Sequence, residues 1–191
     1  MSTTSGPTTR NAERTRRAIL DATARTLTEH GGGFTIALVA DEAGVSKSGL
    51  LHHFPTREAL LLAVAEDALQ RFRNEIMRFV DLSENRPGKM LRAYVRALCG
   101  GSGAAMEFFT HSELWTAVGS VPGIAEVIRA DTEYWSRALA EDGLHPDRVM
   151  LITYAAEGLA AAAHFDPGAT GDQVERLREL LLTLSNENTG L

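Results

Sequence analysis

Apolar residues recur along this chain at steps of three and four, interrupted mainly by glycine, proline and short polar runs. The pattern predicts a first helix over about residues 12–30, with Leu20, Ala24 and Leu27 at helical spacing, ending at Gly31–Gly33. Thr35 is placed to cap a short helix whose apolar side carries Ile36, Val39, Ala40 and Ala43. Gly44 supplies the following turn, where a Cβ is costly at positive φ. Ser46 is placed to cap a second short helix, from Lys47 to about Phe54. A long helix opens at Thr56 and carries Leu61, Val64, Ala65, Ala68, Phe72, Ile76 and Phe79 as one stripe. Beyond Arg86-Pro87-Gly88, helices are predicted over about 89–99 and 104–118. Three more run from Pro122 to near Gly143, from Pro146 to near Asp166, and over about 172–185. No segment shows the alternation or β-branched density of a strand, so the fold class is all-α.

Two short helices joined by a glycine-containing turn make a helix-turn-helix, which sets its second helix against the edges of DNA bases. Here that helix carries Lys47, Ser48, Gly49, His52 and His53, all polar or small. A helix that only completed a core would rarely hold so few large apolar groups. Lys47, Ser48 and Gly49 lie at the exposed start, with Ser46 before them and His53 beyond, and Lys47 is the candidate for guanine. Thr35, His52 and Arg57 are the candidates for phosphate, Thr35 partly through free N–H groups at its helix start. The double-stranded DNA expected as partner is palindromic, because two-fold pairing of the protein doubles the contacts of a small reading helix.

The order of residues goes beyond a generic helix-turn-helix. Ile19-Leu20 precedes the glycine run; then follow Thr35, Val39-Ala40, AGVS at 43–46, HHFP at 52–55, Arg57, and the apolar run from Leu60 to Leu62. This order resembles the DNA-binding domain of the tetracycline-repressor (TetR) family of transcriptional regulators, over roughly residues 12 to 66. Residues 1 to about 11 are polar, contain Pro7 and are expected to be disordered, and the resemblance implies a three-helix DNA-binding domain over 12–57. It further implies a helical ligand-binding and dimerisation domain over 58–187, linked to the head by the Thr56 helix. One departure is Leu51, where many members have a tyrosine that touches a DNA phosphate; Leu51 has no hydrogen bond to donate.

Charge sharpens the picture. The formal net charge is −6, yet residues 1–57 carry seven Lys or Arg against five Asp or Glu, and the remainder twelve against twenty. A mildly basic head thus joins an acidic body that phosphate repels, which orients the head toward the duplex. Arg10, Arg14, Arg16 and Arg17 either follow the DNA backbone or form a solvated helix face. The 44% hydrophobic and 23% charged composition is that of an ordinary soluble protein. No apolar run approaches the ~18 residues of a membrane span. The Ser- and Thr-rich start lacks the apolar segment of a secretory signal. Cys99 stands alone, which excludes an intramolecular disulfide and fits a reducing cytoplasm.

The body holds both tryptophans among Tyr94, Met90, Met106, Phe108, Phe109, Trp115, Tyr134 and Trp135, with His111 and several glutamates interleaved. The same composition describes a plain helical core or a pocket for a small molecule. The resemblance favours the pocket, with Tyr94, Met106, Phe108, Phe109, His111, Trp115 and Trp135 as candidate lining. The alanine-rich stretch Ala155 to Ala163 and the row Val174, Leu177, Leu180, Leu181 and Leu184 suit close helix packing. The resemblance implies that these last two helices pair with their copies in a homodimer.

Enzyme chemistry finds no support: GxSxG, HExxH, a Walker loop and CxxC are all missing. His52 and His53 are adjacent, about 100° apart on a helix, and cannot grip one metal as an i, i+4 pair would. No cofactor, metal or catalytic residue is expected. Two readings stand. One is a cytoplasmic, homodimeric repressor released from its operator by a small molecule. The other is a helical small-molecule-binding or enzymatic protein that has lost specific DNA binding, with Leu51 as its motivating feature.

Overall fold

The computed structural model describes residues 7–110, 112–165 and 171–186. Ten α-helices and no strand occur among them: α1 (Pro7–His30), α2 (Ile36–Glu42), α3 (Lys47–His53), α4 (Arg57–Arg78), α5 (Lys89–Arg96), α6 (Gly103–Thr110), α7 (Ser112–Val118), α8 (Ile124–Ala140), α9 (Pro146–Phe165) and α10 (Gly171–Leu184). A single 3-10 turn, Gly31–Gly33, closes α1. The helix α1 starts at Pro7, ahead of the residue 12 that periodicity gave. Proline suits a first-turn position, where its missing N–H costs no bond. The single helix expected over 104–118 is two helices, α6 and α7, on either side of His111, which lies outside the described residues.

The chain divides into two compact units: residues 1–67 with 111–125, and residues 68–110 with 126–191. In the first, α1 packs on α2, α2 on α3, and α7 on both α1 and the glycine turn. Its buried side chains include Ile19, Leu27, Phe34, Val39, Leu50, Phe54, Leu60, Leu61 and Leu114. Thr23 and Thr26 are buried as well. Each hydroxyl donates to the carbonyl one turn earlier, Ile19 O at 2.7 Å and Ala22 O at 2.8 Å, so neither leaves an unmet polar group. Arg17 joins α1 to α4 through both guanidinium nitrogens on the Asp67 carboxylate.

In the second unit α5 is central, packed on α9 and α10, and Leu91 to Val95 are all buried. Asp142 supplies its start: Leu91 N donates to Asp142 Oδ2 at 2.9 Å and Gly88 N to Asp142 O at 2.8 Å. Two buried arginines satisfy the carbonyls left open where α10 ends. Arg92 donates to Ser185 O at 2.8 Å and Arg148 to Leu184 O at 3.0 Å. Arg92 also donates to Glu84 at 2.8 Å, so its charge is paired. Burial raises the Glu84 pKa, but Arg86, Arg92 and Arg96 outweigh it and hold the carboxyl below the usual glutamate range. Cys99 is fully buried, and burial pushes its thiol up to about 11.

Ala156 and Ala160 belong to this unit's own core, both fully buried. They therefore do not form the outer face that a smooth helix suggested for pairing with a second copy. The outward side of α9 carries Met150, Leu151, Tyr154 and Gly158, and α10 adds Leu180.

Gly88 is the tightest backbone position. Its φ is +88°, and a Cβ there would stand 2.6 Å from Arg92 Nη1, 2.7 Å from Leu144 Cδ1 and 2.9 Å from Ser185 O. Gly88→Ala is expected to destabilise the protein by about 1–3 kcal/mol through the backbone conformation alone, with the crowding adding to it. Denaturant titration checks this; an unchanged midpoint would show that the loop moves aside freely.

Candidate functional site

The helix α3 has seven residues, fewer than the ~12–15 that an isolated helix needs in water. It exists because its surroundings hold it. Ser46 Oγ accepts from Gly49 N at 3.0 Å and Thr35 Oγ1 from Leu38 N at 3.2 Å, so both short helices begin on a side-chain cap. Gly44 sits at φ +66° with no atom within 4 Å of a would-be Cβ, so backbone conformation and not crowding calls for glycine. Leu50 is the one buried residue within α3, and Phe54 follows it into the core.

What remains of α3 faces outward. Lys47, Ser48 and His52 are exposed, together with the cap Ser46, while Gly49, Leu51 and His53 are half-buried. Residues 47, 48, 51 and 52 fall on one side of a helix. Lys47 takes part in no hydrogen bond or ion pair with the described residues. Thr35 is exposed at the start of α2. Arg57 is half-buried, its guanidinium 4.3 Å from the centre of the Phe34 ring. Arg16 stands likewise over Phe54 at 4.7 Å, and its buried Nη1 has no acceptor among the described residues. The two phenyl groups flanking the helix-turn-helix thus each carry a positioned cation. The four N-terminal arginines look alike in sequence; in the structure Arg17 pairs with Asp67 and Asp21, and Arg16 lies over the Phe54 ring.

The second unit contains a cavity of about 610 Å³. Phe72 of α4, Tyr94 of α5, Phe108 and Phe109 of α6 and Trp135 of α8 form its aromatic wall, and residues 146–157 of α9 form the opposite one. Phe72 is the hub. It stacks on Phe108 at 4.5 Å between centroids and meets Phe109, Trp135 and Tyr94 edge-on at 5.6, 5.8 and 5.9 Å. These offset and edge arrangements are the favoured ones for aromatic pairs.

Polar groups punctuate the wall. Tyr94 donates its hydroxyl to Glu157 Oε1 at 2.7 Å. Burial first, and then the adjacent Glu157 charge, push the phenol far above its ordinary value, so Tyr94 stays a donor. Burial also pushes the Asp131 carboxyl up, opposed by its hydrogen bond to Arg73, whose guanidinium lies 4.1 Å over the Tyr134 ring. Trp135 and Thr153 line the cavity, and their Nε1 and Oγ1 atoms are buried with no hydrogen-bond partner among the described residues.

Of the pocket residues expected from sequence, Tyr94, Phe108, Phe109 and Trp135 meet at this cavity. Trp115 does not line it. It sits on α7 in the first unit, because α7 packs on α1 and the glycine turn. His111 and the Met106 side chain lie outside the described residues. Sequence reasoning missed Phe72, Asp131, Thr153, Tyr154 and Glu157. Phe72 was read as part of a linking stripe, and the α9 residues as interface, since periodicity does not say which side of a helix faces a void.

Comparison with known proteins agrees with this geometry. Residues 19–64 match the family model described as "Bacterial regulatory proteins, tetR family", and residues 88–186 match "Tetracyclin repressor-like, C-terminal domain". The chain is 32% identical over 94 residues to the HTH-type transcriptional regulator RutR of Escherichia coli strain K12, covering 49% of this chain and 43% of RutR. It therefore spans less than half the length of the curated relatives it matches. Among solved structures, a transcriptional regulator from Rhodococcus sp. Rha1 superposes with a TM-score of 0.69 at 21% identity, covering 94% of this chain and 99% of that one. A TetR-family member from Streptomyces coelicolor A3 gives 0.65 at 24% identity, covering 89% and 97%. At such identities the likeness is one of fold.

Proposed function

The chain belongs to the TetR family of bacterial regulatory proteins, DNA-binding regulators of transcription and not enzymes, and we propose that it is a homodimeric repressor released from a palindromic operator by a small molecule. The observation that carries this reading is α3: capped, anchored by Leu50, and otherwise presenting exposed polar side chains, Lys47, Ser48 and His52. In this reading Lys47, Ser48 and Gly49 meet base edges, with Ser46 and His53 beside them. Thr35, His52 and Arg57 hold phosphates. Leu51 is half-buried and offers no hydrogen bond, so backbone contact at that end of α3 falls to His52.

The second copy docks on the outward side of α9 and on α10. Leu151 and Leu180 are 45% and 53% exposed there, large apolar groups that two-fold pairing would remove from water. The small molecule occupies the cavity around Phe72. That residue and the head residues Leu60 and Leu61 belong to one unbroken helix, α4. A ligand pressing on Phe72 thereby acts on the helix that also carries the head's core. By linkage, a ligand that releases DNA must itself be weakened by DNA to the same degree. No described helix is long and apolar enough to cross a membrane, and such a regulator works in the cytoplasm, where a bacterial chromosome lies.

Two variants test this reading. Lys47→Ala should relax operator preference and cost about 1–3 kcal/mol per site, read by competition between selected and scrambled duplexes; an unchanged preference would remove Lys47 from the reading surface. Leu180→Glu, made together with Leu151→Glu, places charge on the docking face and should yield a monomer in sedimentation, with operator affinity lost along with the dimer. A wild-type protein that is monomeric at micromolar concentration would contradict the dimer outright.

A further inference from the structure

The two carboxylates on the cavity wall are not equivalent. Asp131 is neutralised by Arg73, which donates to its Oδ1. Glu157 receives only the neutral Tyr94 hydroxyl and has no ion pair with any described residue. No lysine or arginine is among the lining residues. The protein thus leaves one negative charge without a counter-charge among the described residues, beside a wall rich in aromatic side chains, a setting that suits a cation. An anion placed there would meet Glu157 with nothing to offset the repulsion. A neutral apolar molecule would shield the carboxylate from water and give it no partner, which is unfavourable.

We propose that the cavity takes a flat aromatic organic cation, with Glu157 as its counter-ion and the aromatic side chains that line the cavity around it. This rests on the reading of the cavity as the effector site and adds the ligand's charge and shape. Tyr94, locked as a donor, fixes one Glu157 oxygen and leaves the carboxylate's remaining acceptor positions for the ligand. The buried Trp135 Nε1 and Thr153 Oγ1, both on lining residues, lack hydrogen-bond partners among the described residues. The volume of about 610 Å³ lies within the ~300–1,000 Å³ of drug-sized sites, enough for three fused rings with substituents.

The test uses full-length protein, wild type and Glu157→Gln, in equilibrium dialysis with two probes of matched shape: 10-methylacridinium, permanently charged, and 10-methylacridone, neutral. Glutamine keeps the acceptor for Tyr94 and removes only the charge. The expected result is that Glu157→Gln weakens 10-methylacridinium by about tenfold or more, the loss of a charge-assisted contact, and leaves 10-methylacridone within about threefold. The retained acridone affinity also reports that the variant is folded. Equal losses for the two probes, no loss for either, or wild-type binding of acridone alone would overturn the cation assignment while leaving the effector cavity standing. Wild-type protein that binds neither probe would overturn both.

Discussion

A helix of seven residues does not persist in water unaided, and the proposed function of this protein rests on one. Everything in the first unit bears on that constraint. The Ser46 cap is the kind of contact that contributes about 1 kcal/mol, and a buried leucine such as Leu50 contributes about 1.5–3 kcal/mol. Together they fix α3 by its start and its inner side, leaving the outer side unmortgaged to packing. Gly44 sets the angle at which α3 leaves α2, and Phe34 and Phe54 close the core at either end while holding Arg57 and Arg16 over their faces. A polar surface at a defined orientation is the result.

The second unit solves a different problem. Its helices are tied by buried charge, with Arg92 and Arg148 gripping the end of α10 and Asp142 the start of α5. That bracing lets the unit tolerate a void beside Phe72 that an ordinary core would fill. The aromatic residues around the void pack against one another, so the wall keeps its shape without an occupant. The unmatched Glu157 and the orphaned Trp135 Nε1 fit the same picture, since a core built only for stability would not retain them.

The head was legible in the sequence because its signals are local. Thr35, Gly44 and Ser46 act on backbone within four residues, and their spacing alone places α2 and α3. The cavity was legible only by composition. Tyr94 and Glu157 are 63 residues apart in sequence and meet by way of the fold, a relation that no periodicity carries. Trp115 was misplaced for a similar reason, since a tryptophan on an amphipathic helix reads the same whether it docks on α1 or lines a pocket. Ala156 and Ala160 faced inward because α9 is apolar on both sides, which leaves its inner face undefined until its neighbours are known. Thr23 and Thr26 are polar, but their hydroxyls return to their own helix and let them enter the core.

The central claim is that α3, presented in two copies, reads a duplex. Selection of bound sequences from a random pool, followed by affinity measurement across a salt series, addresses it most directly. The account predicts enrichment of two inverted half-sites whose centres lie about 34 Å apart or a multiple of that, with affinity falling steeply as salt rises. A pool that yields no shared inverted sequence, or binding indifferent to salt, would contradict it.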